Sequence, residues 1–129
     1  MRIAVSAAED KGLDSQLSLA FGRAPYFVIV EIEDKKIKSS KTIQNTAAQQ
    51  FGGAGITAAQ LVANERVSVV ISGAVGPRAF QVFQQLGITP VRGIPGTVKQ
   101  NVEAYIEGKL QEITVPGPFG GRGRFGGNF

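Results

Sequence analysis

Apolar and polar positions alternate from the start of the chain. Arg2-Ile3-Ala4-Val5-Ser6 has the period of two that marks a strand. A polar stretch, Ala7 to Asp14, follows. Leu13, Leu17 and Phe21 then recur every four residues, which predicts a short helical turn ending at Gly22. Tyr26 to Ile32 reads as a second strand, entered through Pro25, which has no N–H to donate. A charged turn, Glu33-Asp34-Lys35-Lys36, leads to a third strand, Ile37 to Ile43, polar on one face as an edge strand is.

From Gln44 the period changes. A loop runs to Gly55, and Ile56, Ala59, Gln60, Val62 and Ala63 then mark the inner face of a helix. Val67 to Ser72 is apolar enough for a strand buried on both faces. Gly73 to Pro77 turns the chain into a helix ending at Leu86, with Pro77 at the first helical position and Gly87 as the stop. Ile88 to Arg92 is a fifth strand. Thr97 caps a last helix that shows Val98, Val102, Tyr105 and Ile106 on one face and stops at Gly108. Leu110 to Val115 is expected to add a short strand or to lie along the surface.

The order β-β-β-α-β-α-β-α fits one sheet. Strands one to three pair as neighbours, while helical crossovers deliver strands four and five in parallel. A mixed five-stranded α/β sheet in the order 3-2-1-4-5 follows, with strand 2 antiparallel and helices on both faces, the ribonuclease H-like arrangement. Residues 1–115 are expected to form this domain. Residues 116–129, with six glycines, two prolines and three phenylalanines, are expected to be a disordered tail.

Composition narrows the chemistry. The 129 residues contain no Cys, His or Trp, which excludes disulfides, thiolate metal sites and imidazole bases. The net charge is +4, and Arg122 and Arg124 in the tail leave +2 on the domain, too little to point to nucleic acid. The RGG-like tail has only these two arginines to offer a single strand. No run approaches the roughly 20 apolar residues of a membrane span, and no signal peptide precedes the first strand, so a cytoplasmic location is expected.

In the expected topology the carboxyl ends of strands 1, 3, 4 and 5 share one edge, where ligands of open α/β sheets bind. Three glycine-bearing loops open helices there, and the first turns of helices present unpaired N–H groups to anions. The candidate binding residues are therefore Gly53, Gly55, Gly73, Gly76, Gly96 and Thr97 for backbone amides and caps. Arg23, Arg78 and Asn45 are the side-chain donors for a phosphate, carboxylate or anionic cluster. Gly53 to Ala58 satisfies G-x-G-x-x-A, but a polar loop separates it from the preceding strand. No carboxylate stands about 20 residues on, so a dinucleotide site is not expected. Glu9, Asp10 and Asp14 are the only carboxylates on this edge and lie in one loop, an unsuitable donor set for a two-metal nuclease.

Phe21-Gly22-Arg23-Ala24-Pro25-Tyr26-Phe27, the Gly53-Ala54-Gly55-Ile56 loop, Val70-Ile71-Ser72-Gly73 through Gly76-Pro77, and Gly96-Thr97-Val98 resemble the dinitrogenase iron–molybdenum cofactor biosynthesis family, from Met1 to about Ile113. The resemblance implies the ribonuclease H-like fold and a carrier of an iron–molybdenum or iron–sulfur cluster, or of another small anion, without catalysis. This chain departs from cofactor-carrying relatives in lacking Cys and His, the natural iron ligands. Carriage would rest on arginines and backbone amides. The alternatives are a protein–protein adaptor without a metal cofactor, using the same edge or the tail, and a Mg²⁺-dependent hydrolase acting through Glu9, Asp10 and Asp14. The sequence leaves the oligomeric state open, homo-oligomers included.

Overall fold

The computed structural model describes residues 1–116. The strands are β1 (Arg2–Ala7), β2 (Tyr26–Glu33), β3 (Lys36–Gln44), β4 (Val69–Ser72), β5 (Thr89–Arg92) and β6 (Gln111–Glu112). The helices are α1 (Ala54–Ala63), α2 (Pro77–Leu86) and α3 (Val98–Ile106). The sheet order is β3-β2-β1-β4-β5-β6. β1 is parallel to β4 and β4 to β5, while β2 is antiparallel to both its neighbours. The expected five-strand order is thus present, and two residues of β6 extend it on the β5 edge, antiparallel. Asp34 and Lys35 join β2 to β3 with φ of 53° and 62°, the handedness a two-residue hairpin requires.

The strand period sorts the core into two layers. Ala4, Phe27, Ile29 and Val70 face one side, where they pack with Ala58, Val62 and Phe83 of α1 and α2. Ile3, Val5, Val28, Val30 and Ile71 face the other side, against Val98 and Val102 of α3. Helices therefore cover both faces, and alternation along each strand feeds both layers. Among the described residues no helix is long and apolar enough to cross a membrane.

The helix ends follow their local signals. Pro77 opens α2 and Gly87 closes it with φ of 72°. Thr97 accepts the Gln100 N–H while the Gln100 side chain returns to the Thr97 N–H, a complete capping box.

The expected helical turn through Leu13, Leu17 and Phe21 is not present. Only Gly12–Asp14 forms a single 3₁₀ turn. Residues 15–21 run instead as an extended strap across the carboxyl ends of the strands, bridging Ala7 to Leu17, Gln16 to Thr97 and Ala20 to Ala74. The Leu17 N–H donates to Gly96 O, the Ser18 N–H to Ser6 O and the Phe21 N–H to Ala74 O. Partners far away in sequence satisfy the backbone that an isolated turn would have satisfied locally. The tail expected at 116–129 falls, beyond the exposed Pro116, on residues outside the described ones.

Candidate functional site

The carboxyl ends of β1, β3, β4 and β5 share one edge with the start of β2, because Tyr26 pairs with both Ala7 and Gln44. The chain leaves β1 toward β2 on one side and reaches β4 on the other, so the strand order switches between β1 and β4. Above that point the strap and the first turns of α1 and α2 border a half-open pocket of about 340 Å³. Small residues make it possible. A Cβ on Gly22 would lie 3.1 Å from both the Cα and the N of Gly55, and one on Gly55 would meet the Ala79 Cβ at 3.5 Å. The strap and the two helix starts thus approach at nearly backbone-to-backbone distance.

Gly53 caps α1 in the left-handed conformation, with φ of 74°, and its carbonyl accepts the Thr57 N–H. Gly76 caps α2 in extended conformation, and its carbonyl accepts the Phe80 N–H. The first-turn amides of Ala54, Gly55, Arg78 and Ala79 therefore lack intrahelical acceptors, and all four residues line the pocket. Two helix dipoles converge there with their positive ends. Arg23 and Arg78 also line it, both exposed, and among the described residues no Asp or Glu does. Arg78 sits at the second position of α2 and makes no side-chain hydrogen bond or ion pair among the described residues. The remaining wall is largely apolar, built from alanines, Pro77 and Phe21. Phe21 is 1% exposed and packs tilted against Phe27 and edge-to-face against Phe83, with ring centroids 5.0 and 5.1 Å away, which fixes the wall to the core.

The nine candidate residues divide. The pocket brings together Arg23, Gly55, Gly76 and Arg78. Gly53 stands beside it as the cap of α1. Gly73 lies under the strap, where a Cβ would fall 2.6 Å from Leu19 O. Gly96 and Thr97 lie at the start of α3, over the opposite face of the sheet, stitched to Gln16 and Leu17. Asn45 is 3% exposed, and its side chain is spent on the backbone. Its Nδ2 donates to Gly22 O and Ala24 O at 3.1 and 2.7 Å, and its Oδ1 accepts from the Ala47 N–H at 3.0 Å. It clamps the Gly22–Ala24 turn and presents no free donor to the pocket. Sequence reasoning missed the wall residues Ala20, Ala54, Ala74 and Ala79, since an alanine carries no chemical signal of a site.

The acidic loop is organised for another purpose. Glu9 accepts the Gln16 N–H at 3.0 Å and pairs with the Lys11 ammonium at 3.3 Å. The Gln16 amide, and then Lys11, hold its carboxyl below its ordinary pKa. Asp10 and Asp14 are exposed. Among the described residues no three carboxylates converge where a metal ion could bind.

Comparison with known proteins agrees with this architecture. The model of the family described as dinitrogenase iron-molybdenum cofactor matches residues 1–108. An uncharacterised protein of Methanocaldococcus jannaschii is 39% identical over 100 residues, covering 78% of this chain and 85% of that protein. Among solved structures, the apo form of the orange protein from Desulfovibrio gigas superposes with a TM-score of 0.83 at 35% identity, over 90% of this chain and 95% of that one. A Thermotoga protein solved by NMR gives 0.75 at 31% identity, over 88% and 94%. A match along most of the chain, carried on the same sheet, leads to one assignment: the chain belongs to the dinitrogenase iron-molybdenum cofactor family.

Proposed function

We propose that this chain is a small non-enzymatic carrier that takes an anionic metallocluster or other small anion into the pocket between the strap, α1 and α2. One observation carries the reading: two helix starts and two arginines border a single pocket that, among the described residues, no carboxylate lines. An anion there meets unpaired amides and guanidinium groups, each of which favours negative charge. With no Cys or His in the chain, an iron–molybdenum or iron–sulfur cluster cannot be held by thiolate or imidazole. It would enter as cargo, gripped from outside through hydrogen bonds and charge.

The test is equilibrium dialysis against tetrathiomolybdate and inorganic phosphate, with molybdenum and phosphorus determined by elemental analysis. Arg23→Ala and Arg78→Ala should each weaken binding about tenfold, the worth of one charge-assisted contact, while far-UV circular dichroism stays unchanged. Undiminished binding in both variants would remove the pocket from the account. The adaptor reading draws on a separate observation: Leu19 and Phe51, on segments flanking the pocket, are 77% and 95% exposed, apolar surface that a protein partner would cover.

A further inference from the structure

We propose that the segment 46–53 is a lid for this pocket, that Arg23 ties the lid to the bound anion, and that Phe51 is the residue the lid lays on the ligand. The proposal rests on the anion-binding reading above and names a contact that reading does not contain.

The first part of the segment is anchored. Ala47 is buried, the Ala48 N–H donates to Asn45 O, and the Gln50 N–H donates to Ala47 O. After Gln50 the anchoring thins to one exposed side-chain bond, which Gln50 Nε2 donates to Gly52 O at 3.1 Å. Phe51 is 95% exposed, more than any other large apolar residue described. It is followed by Gly52 and Gly53, with φ of 52° and 74°. Among the described residues nothing lies within 4 Å of a Cβ built on Gly52, and only the flexible end of Gln50 is near one built on Gly53. Two left-handed glycines, held only by the Gln50 side chain and by the Gly53 cap of α1, leave Phe51 on a joint that can swivel. The pocket wall begins at the next residue, Ala54, so the Phe51 backbone stands at most about 11 Å of chain from it. An aromatic ring on such a joint, beside a largely apolar pocket, gains by closing once a ligand is present to pack against.

Arg23 supplies the link. Its Nη1 donates to Ala48 O at 2.9 Å and to Gln50 O at 2.6 Å, so one end of the guanidinium already carries the segment that leads to Phe51. Its Nη2 and Nε have no partner among the described residues, and Arg23 itself lines the pocket. An anion that engages the free edge of this planar group fixes the group, and with it both loop carbonyls. Binding and lid position then share one side chain.

The experiment uses chymotrypsin on the full chain, following cleavage of the Phe51–Gly52 bond by mass spectrometry with and without tetrathiomolybdate. Binding of the same probe is measured in parallel by equilibrium dialysis, and a free peptide substrate monitors the protease itself. At saturating probe, cleavage should slow about tenfold or more, because it tracks the population of the open loop. In Arg23→Gln, with probe raised to equal occupancy, that protection should disappear. Bound probe with unchanged cleavage in the wild-type chain would overturn the lid and leave the pocket standing. Equal protection in Arg23→Gln would overturn the tie through Arg23. Absence of binding in dialysis would sink both the lid and the function it serves.

Discussion

Gly73→Ala places a methyl group where the strap already lies. The new Cβ would sit 2.6 Å from Leu19 O, 2.8 Å from Leu19 Cα and 3.0 Å from its carbonyl carbon, all backbone atoms that cannot rotate away. Gly73 does not need a positive φ, so the perturbation is steric. Relief requires lifting the strap by several tenths of an ångström. That strains the Gly73 N–H to Ser18 O bond of 3.3 Å and the Phe21 N–H to Ala74 O bond of 3.1 Å. Overpacking costs about 1–3 kcal/mol. A weakened backbone hydrogen bond adds about 1 kcal/mol, and the stiffer unfolded chain returns about 0.4–1 kcal/mol. The net loss is about 1–3.6 kcal/mol, which at about 4 °C per kcal/mol for a chain of this size lowers Tm by about 4–14 °C. Differential scanning calorimetry measures it. Gly12→Ala is the comparison, since its φ is 57° but no described residue lies within 4 Å, leaving only a backbone cost of about 1 kcal/mol. A Gly73→Ala protein that melts within a degree or two of wild type would refute the close approach of strap and sheet.

Two further outcomes are expected. Asn45→Ala removes the donor to Gly22 O and Ala24 O and the acceptor for the Ala47 N–H, at a site 3% exposed. It should cost about 2–3 kcal/mol in urea unfolding, and an unmoved midpoint would mean the clamp is dispensable. Glu9 has its folded pKa lowered, first by the Gln16 amide and then by Lys11, so its stabilisation is complete above its ordinary value of 4.5 and vanishes as pH falls through the lowered one. The Tm gap between wild type and Glu9→Gln should therefore close on acidification from neutral pH, and a gap independent of pH would contradict that assignment.

Much of the fold was legible because its causes are local. Alternating residues in Arg2 to Ser6 and Tyr26 to Ile32 gave strands, and Pro77, Gly87 and the Thr97 cap set helix limits that the structure keeps. The leucine spacing at Leu13 and Leu17 misled for a physical reason. Four-residue periodicity describes a helix only where the backbone bonds to itself, and here its partners are Ser6, Ala74 and Gly96.

The site divides along the same line. The sequence by itself determined the absence of thiolate and imidazole chemistry, the glycines at helix starts, and an edge where they could gather. Only the tertiary structure decided which of them meet: Arg23, Gly55, Gly76 and Arg78 at one pocket, Gly96 and Thr97 elsewhere. It also decided that the Asn45 amide is consumed by Gly22 and Ala24, more than twenty residues away. Whether a donor is free depends on which acceptors the fold brings within about 3 Å of it, and no residue's identity contains that distance.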